Sequence, residues 1–270
     1  MPSPMRALRG TTPARSRFRP SDASADRTDL GAPRTSTVGR ALDKAVAIPS
    51  ATIHAHVDAV RRRNPDATPE QVVRLLEREY LAVLTTAGGV TGAAAATPGI
   101  GTGVGLTLTV SDVAAFFGAS AAFTFAVASV HGIEVTDTAR RRALLLATIL
   151  GDEGAATVGD LAGLGPVAFA GALLTRVPTP IVGRVNHTLT RRLVRRQLGR
   201  QSALAVGRLV PFGIGAAVGV VGARALGRTV VDGAWLAFGQ APEAFTTPVD
   251  TSEVLRTVTD PDPTAPDASV

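Results

Sequence analysis

Residues 81–130 read LAVLTTAGGVTGAAAATPGIGTGVGLTLTVSDVAAFFGASAAFTFAVASV and carry a single charged side chain, Asp112. A stretch so long and apolar cannot lie on an ordinary protein surface, so it must form a buried core or contact a membrane. The sequence PGIGTG at residues 98–103 predicts a turn near its middle. The stretch is therefore predicted to fold as a helical hairpin, with Ser111 or Asp112 capping a second helix that runs to about Val130.

The segment before the hairpin carries the clearest helix signals. Residues 50–63 have apolar side chains at helical spacing and predict a short amphipathic helix. Thr68, followed by Pro69 and then by Gln71, matches a helix N-cap, a proline at the first helical position and a capping box. These residues predict the start of the helix that leads into the hairpin.

Start and stop signals divide the chain after the hairpin. Gly132 is predicted to end it, and Thr136 or Asp137 to begin the next helix. A basic amphipathic helix is predicted for residues 181–199 and another apolar element for residues 203–238. No alternation with a period of two is long enough to require a sheet. The predicted fold class is all-α, a helical bundle built around Gly/Ala-rich apolar hairpins.

Composition divides the chain into one domain and two tails. Residues 1–40 are rich in arginine, proline and serine, and residues 247–270 are their acidic counterpart, so both are expected to be disordered. Residues 41–246 show no shift in composition and are predicted to form a single helical domain. The N-terminus lacks the apolar run of a signal peptide, and the chain has no cysteine, which excludes disulfide and thiolate chemistry.

Motifs for catalysis or cofactor binding are missing. No Gly-Lys-Ser/Thr follows a glycine run, so a Walker A loop is excluded. Residues 163–168 match the dinucleotide pattern G-x-G-x-x-A, but without a preceding strand a packing turn is favoured. His54 and His56 are two residues apart and point to different sides of a helix, which disfavours a metal site. The prediction is a protein that is not an enzyme and has no cofactor and no metal.

Asp112 is the most conspicuous single residue. A carboxylate inside so apolar a stretch is costly unless it caps a helix, is paired or has a function. One interpretation is the N-cap proposed above, and another is a buried pair with Arg208, the one charge in the second long apolar run. A catalytic pair of Asp112 with His131 is a weaker third interpretation, because no motif supports it.

The net charge of +6 comes almost entirely from arginine, since the chain contains one lysine, Lys44. The arginines cluster beside the apolar segments, as the positive-inside rule expects of cytoplasmic flanks. Three adjacent arginines precede an apolar helix, and others follow one side of the predicted basic helix. The candidate contacts with an anionic surface are Arg140, Arg141, Arg142, Arg184, Arg191 and Arg195.

Three segments make the chain resemble the EcsC protein family: GVTGAAAATPGIGTGVGLTLTVSD, the following HGIE, and LVPFGIGAAVGVVGARALGRTVVDGAWLAFG. The resemblance covers about residues 65–240. It implies a mostly helical, membrane-associated bacterial protein of a group named for a component encoded with an ABC transporter, without established enzymatic activity. Asp112 matches the family's Gly-rich segment, and Pro211, Gly213 and Gly215 match its closing motif. The long charged tails depart from the family.

Two functions from different classes follow as predictions. The first is a non-enzymatic membrane-associated protein of the cytoplasmic face, accessory to transport or envelope processes, whose partners are membrane lipids or a membrane protein complex. The second is a soluble all-α interaction protein that binds an acidic partner through its arginine-rich helix. Neither includes specific nucleic-acid binding, because the basicity follows from an arginine-rich composition rather than from a recognition motif.

Overall fold

A computed structural model describes residues 32–95, 102–134, 136–207 and 214–246. Within these ranges the chain forms α-helices and no strands, so the predicted all-α fold is confirmed. The helices are α1 Ala32–Val46, α2 Ser50–Arg63, α3 Pro69–Ala95, α4 Thr102–Val130, α5 Thr138–Leu150, α6 Asp152–Ala162, α7 Ala170–Thr175, α8 Thr179–Gly207 and α9 Ile214–Phe238.

Helices α2 and α3 begin at Ser50 and Pro69, where the sequence predicts them, whereas α1 was not predicted. The capping box of α3 is present, because the Thr68 N–H donates to Gln71 Oε1 at 2.8 Å and the Gln71 N–H donates to Thr68 Oγ1 at 3.3 Å. Helix α1 starts at Ala32 and overlaps the end of the segment expected to be a disordered tail. It buries Leu42 and Val46, which supply the apolar contacts that this segment needs to stay helical.

The predicted hairpin is formed by α3 and α4, with its turn at residues 96–101 outside the described residues. The predicted cap is wrong, because α4 begins at Thr102, so Ser111 and Asp112 lie inside the helix. No proline follows Thr102 in this segment, and the threonines and valines after it reduce helix propensity by only a few tenths of a kcal/mol each. The backbone therefore continues as a helix through the region where a cap was expected.

Of the later boundaries, those at Asp137 and Gly132 agree with the prediction and the one at Gly199 does not. Asp137 caps α5 as predicted, accepting a hydrogen bond from the Arg140 N–H at 2.8 Å. Gly132 ends the hairpin with a φ of 69°. Helix α8 continues to Gly207, so the prediction that it ends at Gly199 is wrong. A glycine without a following proline costs a helix only about 1 kcal/mol, which the neighbouring helix formers offset.

Helix α5 lies at the centre of the bundle. The eight residues 143–150 are each at most 5% exposed, so the helix is enclosed on every side along its second half. Helices α8 and α9 pack on different sides of it, and α6 turns back against it after Gly151. Helices α3, α4 and α9 form a second packed unit beside it. The core is continuous across both groups of helices.

Candidate functional site

Helices α3 and α9 run antiparallel and approach so closely that glycine is required between them. A Cβ placed on Gly88 would lie 2.6 Å from Ala223 Cβ and 2.7 Å from the Gly219 carbonyl oxygen. Further along, the position of Gly227 faces Leu81, whose Cδ2 atom would be 2.7 Å from an added Cβ. The pairing therefore places the C-terminal half of α3 beside the N-terminal half of α9.

The opposite end of this helix pair is held by a buried polar group. Glu77, which is 6% exposed, accepts a hydrogen bond from Trp235 Nε1–H. The guanidinium of Arg74 lies 3.6 Å from a Glu77 carboxylate oxygen and 4.7 Å from the centre of the Trp235 ring. We call this end, where α3 begins and α9 ends, the charged base.

Tyr80 connects α3 to α4 in the middle of the pair. Its hydroxyl shares a hydrogen bond of 2.9 Å with the Ser120 hydroxyl, and its ring stacks on Phe123 with a 4.9 Å separation. Burial raises the pKa of Tyr80 well above its ordinary value, and the hydrogen bond from Ser120 offsets this only in part. Together with the short link between Ala95 and Thr102, this contact makes α4 antiparallel to α3, so α4 begins at the same end as α9.

We expect the folded protein to lose stability as the pH rises above about 10, the ordinary pKa of tyrosine. The raised pKa means that the folded state holds the Tyr80 proton more tightly than the unfolded chain, so stability is complete below that pH and is lost above it. Tyr80 is the one tyrosine of the chain, so tyrosinate absorbance reports on it alone.

The comparison variant is Tyr80→Phe. Its free energy of unfolding at neutral pH should be about 1 kcal/mol lower, because the Ser120 hydroxyl loses its partner. The further loss of stability above pH 10 should be smaller than in the unmodified protein. Tyrosinate absorbance that rises near pH 10 while the helix content is still native would contradict the prediction.

Helices α3, α4 and α9 have no charged side chains at the end of the bundle opposite the charged base. The last charged residue of α3 is Glu79, the first of α9 is Arg224, and α4 carries only Asp112. Beyond these residues the three helices contain no charged side chain. We call residues 86–95, 102–111 and 214–223 together the apolar end of the bundle.

Apolar side chains remain exposed close to this end. Val83 is 56% exposed, Val90 is 64% exposed and Val221 is 68% exposed. Val83 and Val90 are seven residues apart and so lie on one face of α3, and Val221 lies on α9. Among the described residues, these are three of the four large hydrophobic side chains that are exposed. All three lie towards the same end of the bundle, which makes this end a candidate interaction surface.

One helical segment among the described residues, Val113–Val130, is long and apolar enough by composition to cross a membrane. Within the fold 56% of it is buried. It packs Phe117, Phe123 and Phe125 into the core, so its apolar character serves the interior of the bundle. The segment that is long enough to cross a membrane is therefore in α4, whereas the exposed valines of the hairpin are in α3.

The three adjacent arginines predicted to contact an anionic surface have internal partners. Arg140 donates to the carbonyl oxygen of Leu173, in α7, at 2.8 Å and to that of Val177, just after α7, at 2.9 Å. Arg142 forms an ion pair of 2.5 Å with Asp43 of α1. Helix rotation of about 100° per residue separates side chains that are neighbours in the sequence.

Arg141 is the buried member of this triplet. It is 6% exposed, donates to the Ile48 carbonyl oxygen at 2.6 Å, and lies 4.2 Å from the centre of the Phe125 ring. Burial lowers the pKa of Arg141 from its ordinary value. Its position excludes the predicted contact with a membrane surface and makes it a structural residue.

The arginines of α8 lie on the surface as predicted. Arg184, Arg191 and Arg195 are exposed on one side of the helix. The opposite side buries apolar residues against α5 and α6, namely Val182, Val185, Leu189 and Leu193. This amphipathic arrangement leaves a row of guanidinium groups available to an anionic partner.

The remaining candidate residues do not come together in one site. His54 shares a hydrogen bond of 2.8 Å with Ser129, and His56 lies 3.1 Å from Glu79, so the two histidines have different partners. Asp112 and His131 are separated by about 28 Å along α4, which is too far for a shared catalytic site within the chain. Arg208 and the side chain of Asp112 lie outside the described residues, so their pairing stays a prediction.

The glycine-rich pattern at residues 163–168 is a packing turn. Gly163 ends α6 in a left-handed conformation, and Ala168 adopts a φ of 57° while its N–H donates to the Leu236 carbonyl oxygen at 2.8 Å. The segment docks on α9 and does not open a helix towards a phosphate, as a dinucleotide fingerprint would.

The chain matches no protein-family model, no curated protein and no solved structure. The resemblance to the EcsC family therefore stays a prediction from the sequence.

Proposed function

We propose that this protein is a membrane-associated helical protein that inserts the apolar end of its bundle into one leaflet of a bilayer. The observation that carries the proposal is the exposure of Val90 and Val221 at the end where α3, α4 and α9 have no charge, with Val83 exposed just below it on the same face of α3 as Val90. In water this surface is unfavourable, because full burial of an exposed apolar side chain gains about 1.5–3 kcal/mol, and these valines are still 56–68% exposed. Contact with lipid recovers that energy.

The length of the apolar end supports shallow insertion. Ten helical residues, as in 86–95, rise about 15 Å, whereas the hydrocarbon core of a bilayer is about 30 Å thick. The hairpin therefore reaches about the middle of the bilayer and returns to the same side. Both flanks of the hairpin, with their arginines, stay on one face, which is the cytoplasmic face under the positive-inside rule.

The resemblance to the EcsC family adds a biological setting to this proposal. A bundle that inserts shallowly and exposes a basic helix on the same side suits an accessory protein of transport or envelope processes. The exposed arginines of α8 also favour the second candidate, a soluble protein that binds an acidic partner. The two candidates differ in what the apolar end contacts.

Cell fractionation followed by washing of the membranes tests the proposal. We expect the full-length protein to stay with the membranes after both high salt and carbonate. Release by salt would assign the association to surface charge and contradict insertion. A protein found only in the soluble fraction would favour the second candidate.

A single substitution at the apolar end gives a sharper test. Val90→Glu places a carboxylate where lipid contact is proposed, and we expect vesicle binding to weaken at least about 10-fold. The matched control is Ala55→Glu, because Ala55 is also exposed on a helix but lies on α2, near the charged base. Equal binding by the two variants, both with native helix content by circular dichroism, would contradict insertion of the apolar end.

A further inference from the structure

Three exposed arginines lie at the border between the charged base and the apolar end. They are Arg195 on α8 and Arg224 and Arg228 on α9. We call them the arginine collar. The three side chains do not contact one another in the part of the chain that the structure describes. Their relative heights along the bundle are given by the way α5, α6, α8 and α9 pack.

The register is set by two contacts around the turn between α5 and α6. Arg192 of α8 lies 3.6 Å from Glu153 of α6, and a Cβ on the neighbouring Gly151 would lie 3.2 Å from Thr229 Cγ2 of α9. Arg192 and Thr229 are therefore at a similar height in the bundle. Helix α8 rises towards the apolar end while α9 descends from it, so Arg195 is level with the turn of α9 that carries Arg224 and Arg228.

The exposed face of α9 changes from charged to apolar residues along the helix. Asp232, Arg228, Arg224 and Val221 follow one another at spacings of three and four, so they lie on one face. The order runs from charged residues near the base to an apolar residue at the apolar end. Lysine and arginine side chains at such a border extend their charged groups to the headgroup level while their methylene groups cover apolar surface.

We propose that the arginine collar binds the phosphates of anionic phospholipid headgroups when the apolar end is inserted. This inference rests on the proposed insertion and adds the class of lipid. Guanidinium groups match phosphate oxygens in bidentate geometry, and juxtamembrane basic residues strengthen binding to anionic leaflets. At the height of Arg228, α3 carries one acidic residue, Glu79, which lies 3.1 Å from His56. From there towards the apolar end, Asp112 is the one acidic residue of α3, α4 and α9.

The charged base supplies a matched control for the collar. Arg62 and Arg63 are also exposed, and they end α2 just before the short link to the start of α3. The start of α3 beside them is roughly 17–22 Å below the collar along the helix, which is at least twice the Debye length of about 8 Å at physiological ionic strength. Removing the same charge there should affect lipid binding little.

The test measures flotation of the full-length protein with two kinds of vesicle, phosphatidylcholine alone and phosphatidylcholine mixed with phosphatidylglycerol. We expect tighter binding to the mixed vesicles, with a preference that salt reduces. The double variant R224Q/R228Q should lose roughly 30-fold in affinity for mixed vesicles and stay close to the unmodified protein on neutral ones. The control R62Q/R63Q should change less than about threefold.

The outcomes separate this inference from the proposed function. Equal binding to both vesicle types, or equal losses for the collar and control variants, would overturn the role of the collar while leaving insertion intact. Failure to bind either vesicle type would overturn insertion and the collar together. A circular dichroism melt of each variant ensures that loss of binding is not loss of fold.

Discussion

Substitution of Gly233 by alanine is expected to lower the free energy of unfolding by about 3 kcal/mol. A Cβ at this position of α9 would lie 2.2 Å from the Thr148 carbonyl oxygen and 3.0 Å from the Thr148 Cα. These are backbone atoms of the central helix α5, so they cannot move aside as a flexible side chain would. Accommodating the methyl group requires α9 and α5 to separate, which opens the core.

Gly183 of α8 is the matched control for this substitution. It is an exposed helical glycine, and among the described residues no atom lies within 4 Å of an added Cβ. Gly183→Ala should therefore stabilise the protein by roughly 0.5–1 kcal/mol. Urea unfolding followed by circular dichroism measures both changes. Similar values for the two variants would show that α9 and α5 are not in close contact.

Substitution of Arg141 by methionine is expected to destabilise the protein by about 3 kcal/mol. Methionine replaces the apolar part of the side chain but leaves the half-buried Ile48 carbonyl without its donor, which costs about 1–3 kcal/mol. The contact with the Phe125 ring is also lost. Arg141→Lys should recover only part of the loss, because an ammonium group lacks the planar fork of donors.

Arg142→Met is the control within the same triplet. Its partner Asp43 has a side chain that is 63% exposed, and exposed ion pairs contribute at most about 1 kcal/mol. Thermal or urea unfolding of the two methionine variants compares them directly. If Arg142→Met were as destabilising as Arg141→Met, the internal role assigned to Arg141 would be wrong.

The directions of the three adjacent arginine side chains could not be predicted from the sequence. Arg140, Arg141 and Arg142 were predicted as one basic patch, yet they contact α7, the interior beside Phe125, and α1 respectively. Their charge is evident from the sequence, but their direction depends on the rotation of α5 against its neighbours. A rotation of about 100° per residue turns three adjacent side chains of a helix towards different neighbours.

The packing of the apolar hairpin was likewise not evident from the sequence. The sequence marks residues 81–130 as uniformly apolar, but the fold uses the two halves differently. Residues near Val130 pack into the core, whereas Val90 lies exposed near the turn. The distinction follows from the antiparallel pairing of α3 with α9, which no local pattern encodes. The proposed membrane contact therefore depends on which half of the hairpin the other helices cover.

The sequence by itself determined the all-α class, the start of α3 after the cap Thr68, the start of α5 after Thr136 or Asp137, and the amphipathic face of α8. These features depend on capping hydrogen bonds and helical periodicity, which act within a few residues. Only the tertiary structure decided that Asp112 lies within a helix, that Arg141 is buried, and that the collar arginines share a height. Those outcomes depend on how distant helices pack, and packing energy is shared among residues far apart in the chain.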